Sequence, residues 1–237
     1  MSGVSNGQEL AQGLAPGYRF TEPGTLLFVT GVPLSGKSTI SPQIAASVEG
    51  CSMQNMDVFR LLAQTMDGMR PEEEREPALQ FGSCDGYLAV GDGSYSPANL
   101  LEGFGRYSRA VFALADIVIP SLEAQGAQSV LFEGVQLQPS LVAPHLKGNS
   151  KLIVVTSSDA KLKANRDRLF GGDPIMDERY SDDKLLTLQD ELLRQADELP
   201  ADSVLRVDNT GEWQDTLPLI LDFLQKTNTI RRLVQTA

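Results

Sequence analysis

The chain has 237 residues, of which 41% are hydrophobic and 22% charged, an ordinary composition for a globular protein of one domain or two small ones with a substantial core. Acidic residues outnumber basic ones by 31 to 20, a net charge of −11, so the surface as a whole repels nucleic acid and any DNA binding requires a local basic groove. No apolar run approaches the roughly 20 residues that span a bilayer, no basic start and apolar block mark a secretory signal, and two cysteines (Cys51, Cys84) with a single histidine (His145) argue against a disulfide scaffold or a Cys/His zinc site and for a reducing, cytoplasmic setting.

Residues 1–22 are polar, contain glycine and lack a sustained period; they read as a loose arm, packed in part through Tyr18 and Phe20. Pro23-Gly24 marks a turn, and the apolar run TLLFVT (25–30) reads as a buried strand. A helix follows from Lys37 to about Val48, then a strand from Cys51 to about Asn55 and a helix from Asp57 to about Met66. The acidic segment 67–97 reads as an insertion within one domain spanning 23–228: PEEERE (71–76) is a solvated run and 82–97 a loop. In the helix predicted over 98–125, Leu100, Phe104, Tyr107, Val111, Leu114, Val118 and Leu122 recur at steps of three and four and define one apolar face, and Pro120 is expected to kink it or split off its last turn.

SVLFE (129–133) and LIVVTSS (152–158) read as further buried strands. A basic helix covers 159–169 and is broken by GGDP (171–174). Leu185, Leu188, Leu192, Ala196 and Leu199 mark a helix over 182–198, SVLRVD (203–208) a last strand, 212–226 a last helix, and 229–237 a tail. Strand and helix signals alternate, and the strands are continuous apolar runs. That pattern predicts an α/β fold with a parallel sheet flanked by helices.

The chemistry centres on GVPLSGKS (31–38), which matches G-x-x-x-x-G-K-[ST] between a predicted strand and a predicted helix, the context this phosphate-binding loop requires. Gly31 and Gly36 let the backbone wrap through Val32, Pro33, Leu34 and Ser35 so that the N–H groups it carries, Pro33 having none, turn inward toward phosphate oxygens. The positive end of the following helix points at the same place. Lys37 adds a charge for the β- and γ-phosphates, Ser38 a hydroxyl for Mg²⁺, and Thr39 completes the loop. ATP and Mg²⁺ are the expected cofactors.

The remaining candidates lie at strand ends, where an open parallel sheet forms its ligand crevice. Asp57 is positioned to accept the proton of a substrate hydroxyl, or to cap its helix, and Arg60 one turn later to hold an anionic substrate. Glu133, at the end of its strand, is suited to orient Mg²⁺ through water. Arg166 and Arg168 precede the glycine break and read as arginines of a lid that neutralise charge on the transferring phosphoryl group. Asp208 and Asn209 line an adenine pocket or form a plain turn. His145 and Trp213 read as structural, and the two cysteines as small buried hydrophobes.

From Thr25 to Asn209 the chain resembles the P-loop kinases, and among them 2-phosphoglycerate kinase most. The resemblance rests on GVPLSGKST (31–39), MDVFR (56–60), FEGVQLQPS (132–140), RDRLF (166–170) and Arg179-Tyr180. It implies a P-loop NTPase fold with an arginine-bearing lid at about 160–183, phosphoryl transfer to a small hydroxyl-bearing acceptor, and substrate contacts from Asp57, Arg60, Glu133 and Gln136. The chain departs from that family where Gln136 replaces a histidine, where Leu61 stands for an acidic residue, and where the N-terminal regulatory region is missing. It is also similar, less closely, to zeta-toxin-type sugar-nucleotide kinases and to phage kinases acting on hydroxymethylated bases in DNA. A nucleotide-dependent switch or binding module is the reading from another class.

Overall fold

A computed structural model describes residues 16–125 and 129–233. Eight strands are present among them: β1 (Tyr18–Phe20), β2 (Leu26–Thr30), β3 (Val48–Glu49), β4 (Cys51–Asn55), β5 (Ser129–Glu133), β6 (Lys151–Thr156), β7 (Val204–Asp208) and β8 (Ile230–Arg232). Five form the central sheet in the order β4-β5-β2-β6-β7, with every pair parallel. The other three form a small sheet, β3-β1-β8, at its side.

The helices are α1 (Lys37–Ser47), α2 (Met56–Gly68), α3 (Ala78–Phe81), α4 (Pro97–Gln125), α5 (Pro139–Val142), α6 (Asp159–Phe170), α7 (Pro174–Arg179), α8 (Asp182–Asp197) and α9 (Trp213–Lys226). Alternate residues of each strand point to opposite faces, and both faces of the inner strands β5, β2 and β6 are covered, which is why these are buried almost along their whole length, while the edge strands β4 and β7 carry polar, partly exposed residues. Leu26, Phe28, Phe132, Leu152 and Val154 pack against residues of α2, α4 and α8. Leu27, Val29, Leu131, Ile153 and Val155 pack against residues of α1 and α9. Because β2 lies between β5 and β6, the loop leaving Thr30 opens at the middle of the crevice, beside the carboxyl end of β5.

Several expectations change. The apolar face of α4 drifts: Leu100, Phe104, Tyr107 and Val111 are buried, but Val118 is exposed, and Ala115 and Ile119 take its place. A strict three-four repeat has a period of 3.5, and an α-helix of 3.6 residues per turn rotates away from it by about 20° per heptad. The break at Pro120 does not occur. Pro120 and Asp116 are exposed, so the Asp116 carbonyl that loses its partner faces water, while Leu122 beyond it packs on the core.

Asp57 is neither a strand end nor a cap. It is the second residue of α2, and Asn55 is the cap, its Oδ1 accepting the Asp57 N–H at 2.7 Å. The 82–97 loop contains a 3₁₀ turn at Gly86–Ala89, and the 67–97 segment buries Ala78, Leu79, Cys84 and Tyr87 in the same core as the sheet. Its closest approach is backbone on backbone: a Cβ on Gly86 would lie 2.7 Å from the Gly103 carbonyl carbon, so this segment and α4 touch without side chains between them. Tyr18–Phe20 and Ile230–Arg232 are strands paired to each other rather than loose chain, whereas the arm's first 15 residues and the tail's last four lie outside the described residues.

Candidate active site

The turn after β2 is held open by its neighbours. Gly36 has φ +90°, a left-handed conformation that favours glycine. A Cβ there would collide with the amide of Asn209, whose Nδ2 donates to the Ser35 carbonyl at 3.0 Å. Asn209 is buried and its Oδ1 accepts from Thr216 Oγ1 at 2.9 Å, so the end of β7 and helix α9 brace the turn. Leu34 has φ +71°, a conformation that costs a non-glycine residue about 1–2 kcal/mol, and Asn165 of α6 donates to its carbonyl at 2.9 Å. In the first turn of α1 the Thr39 and Ile40 N–H groups both bond the Gly36 carbonyl, at 3.0 and 3.1 Å, whereas those of Lys37 and Ser38 bond no carbonyl of the described residues. The buried Ser35 Oγ also has no partner among the described residues. An anion at this turn would satisfy such groups.

Glu133, at the end of β5, is buried and faces that turn. Its Oε1 accepts from Ser38 Oγ at 3.2 Å and lies 3.8 Å from Lys37 Nζ, and its Oε2 accepts from Asn55 Nδ2 at 3.1 Å. Burial raises the Glu133 pKa above the ordinary glutamate range, and the Lys37 charge and the Ser38 hydrogen bond oppose this only in part. Three neighbouring strand ends thereby deliver Lys37, Ser38, Asn55 and Glu133 to one point.

Two cavities meet there, and Lys37 and Ser38 line both. The first, of about 500 Å³, runs from the turn past Asn165, Arg168 and Leu169 of α6 to Asn209 and Trp213. The second, of about 410 Å³, is lined by Asn55, Asp57, Arg60, Glu133, Gln136 and Arg179, among others. Its outer wall comes from the 67–97 segment through Gln80, Ser83 and Cys84. The Asp57 carboxylate is well exposed and bonds Arg60 Nε at 3.1 Å. Gln136 is buried: its Nε2 donates to Tyr107 Oη at 2.9 Å and its Oε1 has no partner among the described residues.

The structure thus brings Lys37, Ser38, Asp57, Arg60, Glu133 and Gln136 together, and puts Arg168 on the first cavity. It does not bring Arg166 to either one. Its guanidinium is buried between α6, α7 and the start of α8, donating to the Tyr180 carbonyl at 2.9 Å and to Asp182 Oδ1 at 2.8 Å, with Asp177 at 3.5 Å. Asp208 turns its side chain onto Thr210 and lines neither cavity, so of the pair at the end of β7 only Asn209 reaches one. Trp213, expected only to pack its helix, lines the first cavity, and Arg179 with Tyr180 lines the second.

His145 is buried beside Phe28 and Phe112 and bonds Asp116 at 2.9 Å. Burial pushes the thiols of Cys51 and Cys84 up to about 12, so neither is poised as a nucleophile. No helix among the described residues is long and apolar enough to cross a membrane.

No protein-family model and no curated protein matches the sequence. Among solved structures the chain is similar to thymidylate kinase from Candida albicans, with a TM-score of 0.50 and 14% identity over 90% of this chain and 97% of that one. It is also similar to a gluconokinase from Sinorhizobium meliloti 1021 (TM-score 0.46, 15% identity, 86% and 94% covered). Deoxyadenosine kinase from M. mycoides with bound dATP gives a TM-score of 0.45 at 15% identity, with 84% and 98% covered. At such identities the likeness is one of architecture. The parallel sheet, its flanking helices and the turn at 31–38 give this chain the fold of the P-loop kinases.

Proposed function

We propose that the chain is an ATP- and Mg²⁺-dependent kinase that transfers the γ-phosphoryl group to a hydroxyl of a small anionic acceptor, of the kind exemplified by 2-phosphoglycerate. One observation carries this reading: a single cavity sets Asp57, Arg60 and Arg179 directly beside Lys37 and Ser38, the end of the phosphate turn. Nucleotide occupies the larger cavity, with its base near Leu169 and Trp213, its phosphates on the 31–38 turn and Arg168 alongside. The acceptor occupies the smaller one.

In this mechanism Lys37 and the turn's N–H groups hold the triphosphate, and Arg60 and Arg179 hold the acceptor's anionic group. The acceptor hydroxyl oxygen bonds to the γ-phosphorus as the bond to the β–γ bridging oxygen breaks. ADP carries away that electron pair, and the hydroxyl proton passes to Asp57. Most of the rate gain comes from alignment and from charge already in place. The donor set suits Mg²⁺: Ser38 Oγ and the buried Glu133 carboxylate are hard oxygen groups 3.2 Å apart, and a cation there would relieve the cost of burying that charge. When bound, Mg²⁺ would be held by Ser38 and, through water, by Glu133, and would offset phosphate charge.

A screen with γ-labelled ATP tests the reading, using small phosphate esters and hydroxy acids, nucleosides, sugar nucleotides and hydroxymethyluracil DNA as acceptors, with products identified by mass. Label on a small anionic acceptor is the expected result. Label on DNA would favour the polymeric acceptor. Slow release of phosphate with no labelled acceptor would favour a nucleotide-dependent switch.

A further inference from the structure

Arg179 is the last residue of α7, and its side chain is 42% exposed where it lines the acceptor cavity. Its position is set by a residue far away in sequence. Arg179 Nε donates to Asp85 Oδ2 at 2.7 Å, while Lys184 Nζ donates to Asp85 Oδ1 at 3.2 Å. One carboxylate therefore spans two cations, with each oxygen committed. Neither the Asp85 side chain, 11% exposed, nor that of Lys184, 5% exposed, lines the cavity. The Nη groups of Arg179 donate to no described residue. A carboxylate that takes Nε fixes the plane of the guanidinium and leaves its other edge to a second anion.

Asp85 is itself firmly placed. The next residue, Gly86, lies backbone to backbone with Gly103 of α4, and Lys184 bonds Tyr87 Oη at 3.4 Å with its ammonium 4.7 Å from the Tyr87 ring centroid. Arg179, in contrast, sits on a six-residue helix entered through Gly171 and Gly172, both at positive φ. Arg166 anchors the backbone at the end of α7 through the Tyr180 carbonyl, but the Arg179 side chain itself bonds no described residue other than Asp85.

We propose that Asp85 is a positioning residue. It fixes the Arg179 guanidinium over the cavity as one half of an anion clamp whose other half is Arg60, and so sets acceptor affinity from outside the cavity. This rests on the reading of that cavity as the acceptor site. It also gives the 67–97 segment a role: its buried carboxylate determines where the arginine at the end of the lid stands.

The test is a double-mutant cycle on affinity for 2-phosphoglycerate, a probe that carries both a phosphate and a carboxylate. Binding is measured by calorimetry on the full chain saturated with Mg²⁺ and the non-hydrolysable analogue AMP-PNP. Arg179→Ala is expected to weaken binding about tenfold in the wild-type background and less than twofold in Asp85→Asn, because an unheld arginine contributes little. If Asp85 acted only as a nearby negative charge, its removal would make Arg179 more attractive to anions. The loss on Arg179→Ala would then be as large or larger in Asp85→Asn, which overturns the proposal. No loss in the wild-type background overturns it as well.

Lys184→Met separates positioning from general loosening. The tenfold effect of Arg179→Ala should persist in it, and its disappearance would contradict a specific role for Asp85. Should Asp85→Asn fail to fold, Arg179→Lys still decides. A lysine keeps the charge but cannot give one nitrogen to Asp85 and others to a ligand, so the tenfold loss is expected, and full affinity would refute the clamp. Trp213 fluorescence reports Mg·AMP-PNP binding in each variant. Failure of the nucleotide reading therefore appears as no quenching in wild type, and failure of the clamp appears in the cycle.

Discussion

The two cavities that meet at Lys37 are built in different ways. The one proposed for nucleotide centres on a short continuous run, Leu34 to Thr39, braced by Asn165 and Asn209 and walled by residues of 161–169 and 209–213. The one proposed for the acceptor is assembled from six separated stretches and held by ion pairs that join residues nearly 100 positions apart, such as Asp85 with Lys184. Phosphate recognition needs only a run of backbone N–H groups at a helix start, which a short motif can encode. Acceptor recognition needs side chains facing one another across a cavity, which only the whole fold can supply.

The strongest way to break this contrast is to disable each side separately. Lys37→Ala should lower phosphoryl transfer about a thousandfold, in line with the loss of one charged transition-state contact, and should weaken ATP binding in a fluorescence titration. Asp57→Asn should lower transfer roughly a hundredfold or more, the scale of a lost general base, while ATP affinity stays at its wild-type value. If both variants lose ATP affinity equally, the division between the cavities is wrong.

Gly103→Ala attacks the acceptor side through its support. The new methyl meets the Gly86 backbone, which cannot yield as a side chain would. A stability loss of about 1–3 kcal/mol is expected, seen as a lower melting temperature together with a raised KM for the acceptor and an unchanged KM for ATP. An unchanged melting temperature would mean that the two backbones separate freely.

An effect of similar size in stability sharpens the side proposed for nucleotide. Asn209→Ala removes a buried bond to the Ser35 carbonyl and should cost about 1–3 kcal/mol. Asp208→Ala, on an exposed side chain bonded only within its own turn, should stay within about 0.5 kcal/mol in the same denaturation experiment.

The pH dependence should be smaller still in stability but visible in rate. Burial raises the pKa of Glu133, so without nucleotide the folded state holds that proton to higher pH than the unfolded chain does. The resulting stability is fully present below the unfolded glutamate pKa and is lost as pH rises through the folded value. The melting temperature of wild type relative to Glu133→Gln should therefore increase on acidification through that window. The rate should move the other way, because Ser38 and Mg²⁺ require the ionised carboxylate. A wild-type rate that is flat across the same window would remove Glu133 from the site.

What the sequence revealed follows the same division. The turn at 31–38, the apolar strands and the carboxylate ending β5 are local patterns, and each could be read in place. Asp57 and Arg60 were also legible, being one helical turn apart, although the capping role belongs to Asn55. Arg166 misleads because a basic helix before a glycine break does not say which arginine faces the phosphates and which is buried against Asp177 and Asp182. Trp213 and Arg179 reach the cavities only because α9 begins and α7 ends there. The pairing of Tyr18–Phe20 with Ile230–Arg232 joins three-residue strands at the two ends of the described chain, too short to carry a period.

The account stands on the phosphates of a nucleotide lying along residues 31–38 and pointing at the smaller cavity. A crystal structure with Mg·AMP-PNP tests that directly. The expected result has the base beside Leu169 and Trp213 and the terminal phosphorus next to Lys37, facing Asp57. A terminal phosphate on the far side of Lys37 from Asp57, or a nucleotide bound anywhere else on the chain, would contradict it.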